Sequence, residues 1–163
     1  MRSIQKYLSG IFFATMAIGL VLIPQRASSL STSASRQDAT AEPVPAFHNS
    51  APAGPLPATL SPSLFTEPVA QNAYSFAARI KKVLYQQPCY CHCDRSQGHG
   101  SLLDCFAGRH AAECGICERE GFYSYEQSRN GKTAAEIREG IERGDWRGVD
   151  MTKYQSPRSA PAK

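Results

Sequence analysis

The sequence predicts a mainly α-helical protein whose small domain has three to four helices organised by cysteine and histidine side chains. Two observations support this fold class. Apolar residues recur at the spacing of amphipathic helices within residues 69–150. All six cysteines of the chain also lie in that range, between Cys89 and Cys117. Because a domain of this size has a marginal apolar core, we expect the cysteine cluster to stabilise it.

Residues 1–29 have the composition of a secretory signal peptide or an N-terminal anchor. Basic residues at positions 2 and 6 precede an apolar run from Leu8 to Ile23, which Pro24 ends. The run is shorter than the roughly 20 residues that cross a bilayer comfortably. We therefore expect an extracytoplasmic protein, in the periplasm or at the cell surface, that is either secreted or N-terminally anchored. It would contact a membrane only if this segment is not removed.

Residues 30–68 and 151–163 flank the domain and are predicted to be a disordered linker and a disordered tail. The linker holds seven prolines among serine, alanine and threonine residues, without apolar periodicity. Such a composition buries too little apolar surface to offset the entropy that is lost on ordering. His48 lies in this linker, and we expect it to be solvated.

The first helix is predicted over residues 69–85, where apolar side chains recur at helical spacing and Pro88 follows. Residues 89–100 carry three cysteines together with glycine and serine residues, so we expect an irregular loop there. A short apolar pattern indicates a second, short helix over about residues 101–107.

Two more helices are predicted in the C-terminal half of the domain. A long helix over residues 114–129 is stopped by an Asn-Gly pair. Thr133 and Glu136 form a capping box, which opens a last helix that ends near Arg143. We expect Trp146 to return to the core.

The charges of the domain argue against a nucleic-acid partner. Residues 69–150 contain 11 basic and 11 acidic residues, and no clustered basic face is recognisable. The sequence also shows no Ser–His–Asp arrangement, paired-carboxylate constellation or phosphate-binding loop. We therefore expect a binding protein rather than a hydrolase or a transferase.

The cysteines fall into two spacing patterns. In an extended backbone, residues two apart point the same way, so the sulfurs of Cys89, Cys91 and Cys93 are expected to share one face. Thiols separated by a single residue bridge to each other poorly, so this triplet suits partner cysteines or a metal ion. Cys114 and Cys117 have the C-x-x-C spacing of zinc knuckles and thiol–disulfide enzymes, at a helix start that favours the thiolate.

The cysteine-rich region resembles the bacterial PCYCGC-motif family of small exported or lipid-anchored proteins, whose biochemical role is unassigned. The resemblance spans roughly residues 69–147 and rests on Pro88-Cys89-Tyr90-Cys91-His92-Cys93, Gly98-His99, Asp104-Cys105-Phe106, His110-Ala111 and Cys114-Gly115-Ile116-Cys117. The chain departs from the family at position 92, where histidine replaces the glycine of the motif, and in lacking the usual lipoprotein cysteine. The polar residues that match the family, and that we take as candidate metal ligands from their side-chain chemistry, are Cys89, Cys91, Cys93, His99, Cys105, His110, Cys114 and Cys117.

The first functional hypothesis is a non-catalytic, extracytoplasmic metal-binding domain. Six sulfurs and two imidazoles are enough donors for two four-coordinate sites. Thiolates of this kind suit Cu(I) or Zn(II), and His99 or His110 would complete a ligand shell. The predicted partner is thus a copper or zinc ion, with another envelope protein as a further candidate.

Two alternatives remain open. The protein is alternatively a disulfide-stapled structural or interaction module, since six is an even count and the compartment permits oxidation. If each N-terminal cysteine pairs with Cys105, Cys114 or Cys117, six connectivities are possible. A thiol–disulfide redox protein with Cys114 as nucleophile and Cys117 as resolving thiol is a third hypothesis, although no thioredoxin-like frame is recognisable.

Overall fold

The structure is a computed structural model and describes residues 42–156. Within that range the chain forms six α-helices, four short 3-10 helices and no strand, so the predicted mainly α fold class is confirmed. The α-helices are α1 (Pro68–Ala77), α2 (Lys81–Leu84), α3 (Cys93–Ser96), α4 (Leu102–Ala107), α5 (Gly115–Arg129) and α6 (Ala134–Arg143). The 3-10 helices are Pro62–Leu64, His110–Glu113, Asp145–Gly148 and Met151–Tyr154. None of the helices in residues 42–156 is long and apolar enough to cross a membrane; the predicted signal or anchor segment lies outside that range.

The local signals in the sequence place the C-terminal helices accurately. Thr133 caps α6 as expected: its hydroxyl accepts the Glu136 N–H at 3.3 Å, and the Glu136 carboxylate accepts the Thr133 N–H at 2.8 Å. The predicted helix over 69–85 is instead two helices, α1 and α2. A tight turn separates them, in which Ile80 N–H donates to the carbonyl of Ala77. Helical apolar spacing persists through such a bend, so the pattern alone does not locate the break.

Helix α5 is the centre of the fold, packing against α1, α2, α4 and α6. Phe122 on α5 is fully buried and stacks on Tyr154, with ring centroids 3.7 Å apart. Phe76 of α1 stacks on Tyr125 at 4.1 Å. Trp146 returns to the core and is buried. These rings supply much of the buried apolar area, and they hold the N-terminal turn of α5 in a defined position.

The segments on either side of the domain differ from the predicted disordered linker and tail. Residues 42–67 lie against the helices, where Pro45 is fully buried and Leu60 N–H donates to the Phe106 carbonyl at 3.0 Å. His48, expected to be solvated, stacks on Tyr85 with ring centroids 3.9 Å apart. The tail residue Tyr154 is 3% exposed. Composition misses these contacts because a few aromatic and proline side chains bury surface against a core that other segments form. Residues 30–41 and 157–163 lie outside the described range.

Candidate metal centre

Cys89 and Cys91 lie on a tight turn between α2 and α3, and Cys93 is the first residue of α3. His92 N–H donates to the Cys89 carbonyl at 3.1 Å, and His92 itself has a left-handed backbone with φ of 58°. The extended backbone expected from the C-x-C-x-C pattern is therefore absent from this stretch. The sulfurs of Cys89, Cys91 and Cys93 nevertheless lie within 4.8 Å of one another, because the turn brings them to one side.

The remaining donors come from four places beyond this turn. His99 lies in the loop between α3 and α4. Cys105 lies on α4 and is fully buried. His110 begins the 3-10 helix that leads into α5. Cys114 is the N-cap residue of α5, and Cys117 lies fully buried in its first turn. The packing of α4 against α5 thus joins cysteines that are separate in the sequence.

Four of the donors form what we call the outer group: Cys91, His110, Cys114 and Cys117. Their ligand atoms all lie within 4.8 Å of one another. Cys91 Sγ is 3.4 Å from His110 Nε2 and 3.5 Å from Cys117 Sγ. Cys91, His110 and Cys114 are partly exposed, so this side of the cluster faces solvent.

Three further donors form what we call the inner group: Cys93, Cys105 and His99. His110 of the outer group also lies within 4.8 Å of Cys93 and Cys105, whereas His99 joins this group through its contact with Cys105. The sulfurs of Cys93 and Cys105 are 3.4 Å apart, and His99 Nδ1 is 3.3 Å from Cys105 Sγ. Both cysteines of this group are buried, at 2% and 0% exposure. Its histidine ring meets His110 of the outer group edge to face, with centroids 5.3 Å apart.

Cys89 lies between the two groups and completes the set of eight candidate residues. Its sulfur is 3.3 Å from that of Cys91 and 3.4 Å from that of Cys117. It also forms a compact triplet with Cys105 and Cys117. All six cysteines are in the described range and all are free thiols, since a disulfide requires sulfurs about 2 Å apart.

The crowded thiols differ in how readily they ionise. The neighbouring thiols, Cys105 foremost, lower the pKa of Cys91, which is the partly exposed member of the C-x-C-x-C triplet. Contact with Cys117, then the other thiols and burial, raises the pKa of Cys105. Among the thiols whose pKa is shifted, Cys91 is therefore the one that ionises most readily. The inner thiols keep their protons unless a cation compensates for the charge.

Glu120 supports the cluster and was not among the residues selected from the sequence. It is fully buried on α5, and its Oε1 accepts the Tyr90 N–H at 2.9 Å. That bond holds the backbone next to Cys89. Burial raises the pKa of Glu120 to about 8, and its Oε2 has no hydrogen-bond partner. Its position three residues after Cys117, on the same helix face, is the signal that could have identified it.

Groups of these sulfur and nitrogen donors therefore lie close enough together to hold a metal ion. A family model described as a protein of unknown function with PCYCGC motif matches residues 27–161. No curated protein and no solved structure matches the chain. The match spans most of the chain and includes all eight candidate ligands, so this chain belongs to the family of proteins of unknown function with a PCYCGC motif.

Proposed function

We propose that this protein is a non-catalytic metal-binding protein that holds Cu(I) or Zn(II) in its Cys/His cluster outside the cytoplasm. The observation that carries the proposal is the convergence of six free thiols and two imidazoles from separate elements on one partly buried cluster. The extracytoplasmic location is inferred from the signal-like composition of residues 1–29.

The donor chemistry favours soft or borderline cations. Thiolates select Cu(I) and Zn(II), and imidazole is a common co-ligand of both. Two sulfurs bound to one tetrahedral zinc ion lie about 3.8 Å apart, given a Zn–S bond of about 2.3 Å. The observed separations of 3.3–3.5 Å between neighbouring sulfurs are within a few tenths of an ångström of that value. Small rotamer changes would therefore admit an ion.

The C-x-x-C pair is part of this larger donor set. Cys91 Sγ lies 3.5 Å from Cys117 Sγ, and Cys91, His110 and Cys114 share one group with Cys117. A redox nucleophile with one resolving partner would need a pair that reacts separately from other thiols. The geometry thus supports ligation better than thiol–disulfide catalysis.

A disulfide-stapled module remains the second candidate because specific sulfurs are already in contact. The sulfur of Cys93 lies 3.4 Å from that of Cys105. Cys89 contacts Cys117 at 3.4 Å, and C-x-C bridging between Cys89 and Cys91 is geometrically poor. Oxidation is therefore expected to form disulfides between Cys93 and Cys105 and between Cys89 and Cys117. Cys91 and Cys114 would then form the third disulfide.

Native mass spectrometry of the full chain purified from an oxidising compartment tests the proposal. We expect bound copper or zinc, and six alkylated cysteines after denaturation under non-reducing conditions. His110→Ala should weaken metal retention because it removes a donor of the outer group. His48→Ala is the matched control, since His48 lies outside every candidate ligand group. A metal-free protein that resists alkylation would instead establish the disulfide module.

A further inference from the structure

We propose that the cluster binds two metal ions that share the thiolate of Cys89: a buried inner ion and an outer ion that exchanges with external ligands. This inference rests on the proposed function and specifies how the same donors divide between ions. The outer ion is bound by the outer group, and the inner ion is bound by the inner group.

The number of donors exceeds what one ion can use. A tetrahedral ion takes four ligands, and the outer group alone supplies four donor atoms within 4.8 Å of one another. One ion there would leave the sulfurs of Cys93 and Cys105 buried and 3.4 Å apart without a cation. His110 also lies within 4.8 Å of Cys93 and Cys105, but it is already a donor of the outer group. His99 Nδ1 lies 3.3 Å from Cys105 Sγ and supplies a separate imidazole, so Cys93, Cys105 and His99 give a second set of donors.

Cys89 is positioned to serve both ions. Its sulfur is 3.4 Å from that of Cys117 in the outer group, and both lie within 4.8 Å of Cys105 Sγ in the inner group. It forms a similar compact triplet with Cys91 and Cys93, one from each group. The inner group has three donors of its own and needs a fourth for a tetrahedral shell. A thiolate has more than one lone pair, so Cys89 can complete this shell and remain bound to the outer ion.

The two positions differ in their access to solvent. Cys91 and Cys114 of the outer group are partly exposed, whereas Cys93 and Cys105 are 2% and 0% exposed. The chain segment that contains the fully buried Pro45 also covers the inner side. Pro45 lines a space against Cys93 that is too small for a water molecule. An incoming thiol or chelator therefore reaches the outer ion directly, and the inner ion only after this segment moves.

The test uses the full chain, stripped of metal, reduced, and reloaded with Zn²⁺ alone or, in a separate anaerobic series, with Cu⁺ alone. Native mass spectrometry counts the ions, and a chromophoric chelator in excess measures the rate at which they leave. We expect two ions that leave in two resolved phases. Cys114→Ser should retain one ion and lose the fast phase, because Cys114 belongs to the outer group alone.

His99→Ala tests the inner position without replacing a fully buried cysteine. The ring of His99 is only partly buried, so this variant is expected to fold. Its slow phase should become faster or disappear, while the fast phase persists. Arg129→Ala is the control and should keep both ions and both phases, because Arg129 is exposed in the last turn of α5, at the opposite end of the helix from Cys117.

The possible failures separate the two proposals. A wild-type chain that retains neither zinc nor copper would overturn the proposed function. One bound ion per chain, or two ions that leave in a single phase, would overturn the two-ion inference and leave the metal-binding function intact. A Cys114→Ser variant with both phases unchanged would refute the outer position, and an unchanged slow phase in His99→Ala would refute the inner one.

Discussion

Gly121 on α5 is a position where a single methyl group should loosen the contact between α4 and α5. An ideal Cβ at this position would lie 2.7 Å from Cζ and 3.3 Å from Cε2 of Phe106. The Phe106 ring is fully buried, and its neighbour Tyr74 meets it edge to face at 5.2 Å. The ring therefore has little freedom to turn away, and α4 must shift to make room for the methyl group.

Two opposing terms decide the size of the effect of Gly121→Ala. Replacing a helical glycine by alanine stabilises a helix by about 1 kcal/mol. Overpacking a well-filled core costs about 1–3 kcal/mol. We expect the cost of overpacking to exceed the gain in helix propensity, with a net loss of about 1 kcal/mol in the free energy of unfolding. Because Cys105 precedes Phe106 on α4, the same shift should also speed release of an inner metal ion.

Urea unfolding of the reduced, metal-free protein measures this loss. Gly115→Ala is the matched control on the same helix, because a Cβ there has no atom within 4 Å. We expect the control to be as stable as the wild type or slightly more stable. A Gly121→Ala protein that matches or exceeds the control in stability would refute the packing argument.

The remaining predictions concern three polar residues around the cluster. His92 has a φ of 58° where the family motif has glycine, so His92→Gly should be about 1 kcal/mol more stable than His92→Ala in urea unfolding; equal stability would contradict a backbone origin. The pKa of Glu120 is raised to about 8 from 4.5, so the folded state holds its proton more tightly than the unfolded state. Stability that is fully present below pH 4.5 should be lost as the pH rises through about 8, by roughly 5 kcal/mol at 1.4 kcal/mol per unit. Urea midpoints of the reduced, metal-free protein across this range measure the loss. Glu120→Gln should reduce the slope and leave a smaller one from Glu118, whose pKa burial raises to about 7; a slope that this variant leaves unchanged would contradict the role of Glu120. Asp104 accepts the Gly100 and Ser101 N–H groups at 2.7 and 3.2 Å, so Asp104→Ala should cost about 1 kcal/mol in thermal unfolding. An unchanged melting temperature would mean that this cap contributes nothing.

The helices whose ends are set by residues close together in the sequence could be predicted from it. Thr133 and Glu136 form the expected capping box at the start of α6, because capping bonds join residues three apart. The long helix expected over residues 114–129 is α5, within one residue at its start. The break between α1 and α2 could not be predicted, because the apolar residues keep the same spacing where the chain changes direction.

In the candidate site, too, the residue types could be predicted from the sequence, whereas contacts between distant residues could not. The sequence selected eight residues. The structure brings seven of them into overlapping groups within 4.8 Å, and the eighth, His99, contacts Cys105; their role as metal ligands stays a prediction. The sulfurs of the C-x-C-x-C stretch were expected to lie on one face of an extended backbone. They do lie close together, but a turn at His92 brings them there. Glu120 was missed because its role depends on a contact with Tyr90, 30 positions away.

By itself, the sequence determined the helical class, the position of the cysteine-rich region and the residues able to bind a soft metal. These follow from local periodicity, capping chemistry and the side chains themselves. The tertiary structure alone decided how the donors divide into an outer and an inner group and which of them face solvent. It also decided that residues 42–67 cover the helices, as in the bond from Ala46 N–H to Asp94, 48 positions apart. Such contacts join segments that are distant in the chain, so they depend on the packing of the whole domain rather than on any local pattern.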